Sequence, residues 1–369
     1  MIQNYPKLLG GFNLGNIYLK NRTVMAPMTR SRAIDNLPNN LMVKYYSDRA
    51  EAGLIITEGV SPSPNGLGYA RIPGIYSQQQ VEGWKKITEA VHDRGGKIFV
   101  QLMHTGRISH PLNLPEGAEV VGASAIGALS TPMYTDQQGM QALPAPRELS
   151  TEEVAQVTGE FVHAAKAAME AGFDGVELHG ANGYLIDQFL NPASNQRNDK
   201  YGGSPYNRNR FAIEIAAAIA KAIGGNRVGI RVSPFGAFNE MTSSNETTDQ
   251  FISLASELSK VGVAYIHIVD HSTMGAPAVS NEVKQGIRKA FAGVIILSGG
   301  YDGERAEADL QANRGDLVAF GRPFLANPDL ITRIARHQPF AQPDPSTFYT
   351  PGEKGYNDYP VLEEAAVAG

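Results

Sequence analysis

Short apolar runs alternate with longer amphipathic segments along most of the chain. Eight runs have the length and apolar content of buried strands, and they span residues 24–28, 54–60, 97–103, 175–178, 228–232, 265–269, 294–297 and 317–320. The segments between them carry the helical spacing of apolar residues, at 41–52, 78–94, 151–171, 207–223, 247–261, 282–291, 303–312 and 327–335. Eight alternations of strand and helix predict an α/β fold, a (β/α)8 TIM barrel.

Local signals agree with these boundaries. Ser150 and Glu153 have the spacing of a capping box at the start of the third helix, and Gly95, Gly172 and Gly224 stand where helices commonly end. The main alternative fold is an open Rossmann sheet, which would place G-x-G-x-x-G directly after a strand. The chain has no such motif, and the glycines after its seventh run are spaced differently. The barrel is therefore the preferred interpretation.

Three segments depart from the alternation. A Gly-rich turn between residues 9 and 19 predicts an N-terminal hairpin, and residues 105–149 form a connection far longer than usual after the third strand. We expect the latter to be an insertion over the barrel mouth, with a short hairpin of its own. Residues 338–369 form a Pro-rich C-terminal tail whose several aromatic residues suggest that part of it packs back. The whole chain, 1–369, is predicted to be a single barrel domain.

The composition excludes several kinds of binding partner and all cysteine-dependent sites. The 369 residues are 42% hydrophobic and 19% charged, with a net charge of −5 and no basic block, so nucleic acid and anionic membrane surfaces are not expected partners. The absence of cysteine excludes disulfides, Cys-ligated zinc, iron–sulfur clusters and thiol catalysis. No apolar run approaches the roughly 20 residues of a membrane helix. The N-terminus lacks the features of a signal peptide, and a cytoplasmic location is expected.

The most informative chemistry follows the fourth strand. His179, Asn182 and Tyr184 stand within six residues of each other, at the strand end where such barrels place their active sites. A lone histidine is more often structural, and His267 and His271 have only Asp270 beside them, so no metal site is predicted. Together, a histidine and an asparagine can hold one carbonyl or nitro oxygen. A phenol with an ordinary pKa of about 10 can act nearby as a proton donor.

Other strand ends suggest a phosphate and a polar ring. Barrels commonly bind phosphate after strands seven and eight, which here end in Gly299-Gly300 and Gly321-Arg322. These glycines could also make tight turns and nothing more. Gln101 and Arg231 on strands three and five, with Thr29 after strand one, suit a heteroaromatic ring that gains negative charge on reduction. Any one of these three alone would be an ordinary solvated residue.

Seven motifs carry a resemblance to a known family. They are MAPMTR (25–30), ITEGV (56–60), QLMHTGR (101–107), ELHGANGYLIDQFLNPASNQRNDKYGGS (177–204), GIRVSP (229–234), SGGY (298–301) and AFGRPF (319–324). With these motifs the chain resembles, essentially end to end, the old yellow enzyme family of FMN-dependent ene-reductases. That group includes the N-ethylmaleimide and pentaerythritol tetranitrate reductases.

The resemblance implies non-covalent FMN and a role for each matching residue. Pro27, Met28, Thr29, Gly59 and Gln101 would contact the flavin ring, Arg231 would sit by its N1–O2 edge and ribityl chain, and Gly299, Gly300, Gly321 and Arg322 would hold the phosphate. The substrate's activating oxygen would bind His179 and Asn182, Tyr184 would donate the proton, and Tyr69 and Tyr356 would line the substrate cavity. Met103 is a departure, because many bacterial relatives have tryptophan there. The subgroup with a cysteine beside the flavin and the iron–sulfur branch are both excluded, since the chain has no cysteine.

The reaction implied by the resemblance is ping-pong. NADPH, or secondarily NADH, would reduce the flavin, and an α,β-unsaturated aldehyde, ketone, imide or nitroalkene would then be reduced in the same cavity. Three alternatives stay open: a flavin reductase of nitrate esters or nitroaromatics, a barrel isomerase or aldolase acting on a phosphorylated substrate through Glu58 or Glu177, and a non-catalytic flavin-binding protein.

Overall fold

A closed barrel of eight parallel strands organises the structure, which is a computed structural model describing residues 5–362. The strands are β1 (Phe12–Leu14), β2 (Ile17–Leu19), β3 (Thr23–Met25), β4 (Leu54–Val60), β5 (Ile98–Leu102), β6 (Val121–Gly122), β7 (Pro132–Thr135), β8 (Gly139–Ala142), β9 (Arg147–Glu148), β10 (Gly175–Gly180), β11 (Val228–Val232), β12 (Tyr265–Val269), β13 (Val294–Ser298) and β14 (Leu317–Phe320). The barrel order is β3-β4-β5-β10-β11-β12-β13-β14, with β14 closing on β3. The predicted (β/α)8 barrel is confirmed. Residues 1–4 and the end of the predicted tail, 363–369, lie outside the described residues.

Helices surround the barrel between successive strands. They are α1 (Asn40–Ser47), α2 (Gln78–Asp93), α3 (Thr151–Glu170), α4 (Leu185–Leu190), α5 (Pro205–Ile223), α6 (Thr247–Val261), α7 (Asn281–Ala290), α8 (Gly303–Gln311), α9 (Arg322–Ala326) and α10 (Leu330–Ala335). The capping box of Ser150 and Glu153 is formed at α3. Helices α4 and α9 were not predicted from the sequence. They have six and five residues, and two turns or fewer do not establish a helical period.

The lower end of the barrel is closed by the N-terminal hairpin. Strands β1 and β2 pair antiparallel, and Leu14 and Leu19 join a buried cluster with Phe99 and Tyr265 from the barrel interior. Gly229 makes room for this packing, since a Cβ at that position would overlap the Tyr265 ring. The interior is thus filled by side chains at this end, and the opposite, C-terminal mouth is left for a ligand.

The long connection between β5 and α3 packs beside that mouth. It contains the hairpin of β7 and β8, as the sequence predicted, and a two-residue parallel pair of β6 with β9. Met133 and Leu143 from this connection pack in one buried cluster with Met103 and Tyr184 at the barrel mouth. The connection therefore forms a wall beside the strand ends.

Two buried arginines hold the C-terminal segment against the barrel. The Arg32 guanidinium donates hydrogen bonds to four backbone carbonyl oxygens of that segment, those of Thr347 (2.9 Å), Phe348 (2.7 Å), Gly352 (3.2 Å) and Lys354 (2.9 Å). Arg30 donates to the carbonyl of Gly355 at 2.6 Å. Burial, with the neighbouring Arg30 charge, lowers the pKa of Arg32 to about 10, so its guanidinium stays cationic at neutral pH.

We expect Arg32→Met to destabilise the protein by about 3 kcal/mol or more. The substitution keeps the apolar stem but leaves several buried carbonyl oxygens without a donor, each worth about 1–3 kcal/mol and not additive. Urea unfolding measures the effect. Arg314→Met is the control, because its side chain is 62% exposed and pairs at the surface with Asp309. Equal midpoints for the two variants would contradict the anchoring role.

Candidate active site

A cavity of about 500 Å³ opens at the C-terminal mouth of the barrel. Its volume is within the range of ligand pockets, about 300–1,000 Å³. Every site residue predicted from the sequence lines this cavity except Tyr356: Pro27, Met28, Thr29, Gly59, Tyr69, Gln101, His179, Asn182, Tyr184, Arg231, Gly299, Gly300, Gly321 and Arg322. The barrel thus brings together residues that lie up to about 300 positions apart in the chain.

Tyr356 does not line the cavity, and that prediction is wrong. Its ring is fully buried and stacks on Tyr45, with ring centroids 4.1 Å apart. The guanidinium groups of Arg30 and Arg32 lie 5.1 and 4.8 Å from its ring centre. Phe348 and Tyr349 of the same tail line the cavity instead. The tail has no periodicity that would have separated inward-facing aromatic residues from anchoring ones.

Asn182 and Tyr184 are positioned by the tight turn that follows β10. The turn places Asn182 at φ +61° and Gly183 at φ +78°, in the left-handed region, before α4 begins after Tyr184. The Asn182 N–H donates to Ser233 Oγ at 3.0 Å, and its carbonyl accepts from Asn239 Nδ2 at 2.7 Å. These contacts with the loop after β11 hold a backbone conformation that non-glycine residues seldom adopt.

His179 and Tyr184 present uncharged groups to the cavity at neutral pH. Burial, together with the Arg231 charge, depresses the pKa of His179 well below its usual 6.5, so the imidazole is neutral. Burial raises the pKa of Tyr184 well above 10. The Tyr69 and Tyr184 hydroxyl oxygens are 3.0 Å apart, and burial raises the pKa of Tyr69 to about 12. A neutral imidazole can donate one hydrogen bond, and the phenol keeps a proton to give.

A buried network forms the floor beneath these groups. Gln101 Nε2 donates to Glu177 Oε1 at 2.8 Å, and His267 Nδ1 lies 2.9 Å from Glu177 Oε2. Burial lowers the pKa of His267, so a neutral imidazole donates from Nδ1 to the carboxylate. From the sequence, Glu177 was a candidate only for an isomerase or aldolase. Its partners Gln101 and His267 could not be predicted, because they lie on other strands. Glu177 therefore anchors Gln101 and is itself absent from the cavity lining.

Glu58, the other carboxylate considered for an isomerase, also faces away. It accepts from the Tyr46 hydroxyl at 3.1 Å and from the Arg30 N–H at 3.4 Å. Burial raises the pKa of Glu58 to about 7. With neither glutamate in the cavity lining, the structure does not favour an isomerase or aldolase that acts through them.

One end of the cavity is lined by glycine backbone and Arg322, together with Asp270, whose carboxylate is paired with Lys284 at 2.8 Å. Gly299 and Gly300 follow β13 at φ +134° and +62°, and a Cβ on Gly300 would come within 2.5 Å of Thr273 Cγ2. Gly321 and Arg322 follow β14, and Arg322 is exposed at the rim. Among residues 5–362, its guanidinium has no ion-pair partner within 4.0 Å. This end is suited to an anionic group such as a phosphate.

The donor set of the whole cavity fits FMN. Arg231 Nε and His179 Nδ1 are buried without a hydrogen-bond partner in the described part of the chain, as expected where a bound polar ring completes the site. Burial lowers the pKa of Arg231, with Glu177 opposing this, and the group stays cationic. Gln101 and Arg231 would hold the polar edge of the ring, with Pro27, Met28 and Thr29 along it. The glycines and Arg322 would hold the phosphate.

Several lining residues were not predicted as site residues. Phe238 and Asn239 come from the loop after β11, and His271, Thr273 and Met274 from the loop after β12. His271 was considered only as a metal ligand.

The described residues contain no group of three or more histidine, cysteine, aspartate or glutamate side chains placed to hold a metal ion. In the same stretch of chain, no helix is both long and apolar enough to span a membrane.

Comparison with known proteins identifies the family. The model of the NADH:flavin oxidoreductase / NADH oxidase family matches residues 7–340. A probable flavin mononucleotide-dependent alkene reductase of Leishmania infantum is 42% identical, over 97% of this chain and 96% of its own. Morphinone reductase, solved in complex with tetrahydroNAD, is 42% identical with a TM-score of 0.93, covering 98% of this chain and 99% of its own.

A third similar protein carries the family name itself. The old yellow enzyme homologue from Zymomonas mobilis has a TM-score of 0.91 and 37% identity, over 97% of this chain and 100% of its own. The family model, these relatives and the cavity agree with the resemblance carried by the sequence motifs. The chain belongs to the old yellow enzyme family and is an FMN-dependent oxidoreductase.

Proposed function

We propose that the protein is an ene-reductase that uses NAD(P)H to reduce the activated C=C bond of α,β-unsaturated carbonyl, imide or nitro compounds. The observation that carries this proposal is the placement of His179, Asn182 and Tyr184 around one cavity that Arg231 and Gln101 also line. Two neutral donors and a protonated phenol are the groups that polarising an enone and protonating it require. The alkene reductase among the relatives supports the same reaction class.

Each of the three residues has a separate task. His179 and Asn182 bind the activating oxygen and stabilise the negative charge that develops on it. Tyr184 donates its phenolic proton to Cα. The Tyr69 hydroxyl, 3.0 Å from the Tyr184 oxygen, then donates a hydrogen bond to the phenolate that results. FMN, when bound, supplies the hydride chemistry, and the protein supplies position and electrostatics. Met103 and Tyr349 shape the space available to the substrate.

NADPH is the proposed reductant, with NADH as the second candidate. One cavity serves the nicotinamide and the alkene in turn, so the chain needs no separate dinucleotide fold. The tetrahydroNAD complex of morphinone reductase supports binding of a nicotinamide in this way. Residues 1–369 would act as one FMN-binding unit, with 105–149 as an insertion over the barrel mouth and 338–369 as a C-terminal tail that contributes Phe348 and Tyr349 to the cavity lining.

Two other functions use the same site. Reduction of nitrate esters or nitroaromatics would employ the same donors and flavin, and turnover distinguishes it. A non-catalytic flavin-binding protein would need neither the donor pair nor the phenol. The convergence of these three side chains on the cavity favours the enzyme.

The visible spectrum of the purified protein, followed by anaerobic additions, tests the proposal. The protein is expected to be yellow, to bleach on addition of NADPH and to regain its colour with 2-cyclohexenone. Bleaching without reoxidation by the enone, but with reoxidation by a nitrate ester, would move the function to the second candidate. Bound flavin that no nicotinamide reduces would indicate a binding protein.

A further inference from the structure

The side chain of Asn182 makes one further contact that bears on its role. His271, from the loop after β12, places its Nε2 2.7 Å from Asn182 Oδ1. The backbone N–H and carbonyl of Asn182 are already engaged by Ser233 and Asn239. Among the described residues, the Asn182 Nδ2 group is the one polar group of this asparagine with no protein partner. It belongs to a side chain that lines the cavity.

The orientation of this amide decides what the site can bind. With Oδ1 toward His271, the cavity receives the N–H donors of Nδ2. A flipped amide would present its carbonyl oxygen, which repels the oxygen of an enone or nitro group. An unaided asparagine has no intrinsic preference between the two, so an external hydrogen bond must select one.

We propose that His271 is a positioning residue that fixes the amide of Asn182 as a hydrogen-bond donor toward the substrate's activating oxygen. The inference rests on the proposed function and deepens it. It restricts the substrates to alkenes whose activating group is a hydrogen-bond acceptor, a carbonyl or nitro oxygen.

The surroundings of His271 suit this task. Its ring packs against Phe238, with centroids 4.6 Å apart, and its carbonyl oxygen accepts from the Met274 N–H at 2.8 Å. Burial, together with the Arg231 charge, lowers the pKa of His271 to about 4, so the ring is neutral at neutral pH. A neutral ring has one N–H, and in the proposed arrangement that N–H is on Nε2 and donates to Asn182 Oδ1, 2.7 Å away. The loop after β12 therefore reaches across to control a residue of the turn after β10.

A double-mutant cycle tests the inference. His271→Leu removes the donor, His271→Gln retains an N–H at a similar distance, and Asn182→Ala removes the amide on which His271 would act. The readouts are the dissociation constant for cyclohexanone, from the perturbed absorbance of bound flavin, and the rate of flavin reoxidation by 2-cyclohexenone. His163→Leu is the matched control, because it makes the same replacement at an exposed position of α3.

We expect His271→Leu to weaken cyclohexanone binding about tenfold, the effect of one hydrogen bond. His271→Gln should recover most of the affinity. In the Asn182→Ala background the His271→Leu change should have no further effect. An equal loss in both backgrounds would show that His271 acts independently of Asn182, and unchanged binding would show that it does not orient the amide; either result overturns the inference. Failure of the wild-type protein to reduce 2-cyclohexenone would instead overturn the proposed function.

Discussion

Replacing His179 and Asn182 together by alanine is expected to lower the rate of enone reduction by at least about a thousandfold, because each oxyanion donor typically contributes about 10²–10³. FMN should remain bound, since the glycines and Arg322 proposed to hold the phosphate, and Gln101 and Arg231, are untouched. The flavin spectrum measures cofactor content, and stopped-flow reoxidation with 2-cyclohexenone measures the rate. Because the pKa of His179 is depressed well below 6.5, the wild-type rate should show no inflection near that pH.

The control for this variant is His163→Leu, which leaves the cavity intact. Full enone turnover in the double alanine variant would contradict the assignment of the donor pair. Loss of FMN together with the activity would mean that these two side chains contribute mainly to flavin binding.

Replacing Tyr184 by phenylalanine is expected to slow reoxidation by the enone about 10²–10⁴-fold, the usual contribution of a positioned general acid. Flavin reduction by NADPH should change little, because that half-reaction needs no proton from the phenol. The active form of Tyr184 is the protonated one, and its pKa is raised well above 10. In the wild type, reoxidation should therefore stay constant as the pH rises to about 9 and fall only as the pH passes through the raised pKa.

Tyr18→Phe is the matched control, since Tyr18 is 64% exposed. Separate stopped-flow traces for the two half-reactions provide the measurement. Unchanged reoxidation in Tyr184→Phe would show that solvent protonates Cα. Equal slowing of both half-reactions would indicate a disturbed cavity rather than a lost acid.

The sequence by itself determined the barrel and the location of its chemistry. Parallel strands are buried on both faces and therefore appear as continuous apolar runs, which is why eight of them could be placed from the pattern of apolar residues along the chain. Since the carboxyl ends of such strands meet at one mouth, the residues that end β5, β10, β11, β13 and β14 could be grouped before their positions were known. His179, Gln101 and Arg231 belong to this group, and they line one cavity.

Only the tertiary structure decided which loop and tail residues join that group. Tyr356 was placed in the cavity by resemblance, but it stacks on Tyr45, whereas Phe348 and Tyr349 face the ligand space. The His271–Asn182 contact joins residues 89 positions apart, and Gln101 meets Glu177 across 76. Loops lack the periodicity that tells the buried face of a strand or helix from its exposed face. Hydrogen bonds between distant residues, on loops as for Asn182 and His271 or on strands as for Gln101 and Glu177, depend on how the strands are arranged around the barrel. No local pattern in the chain records that arrangement.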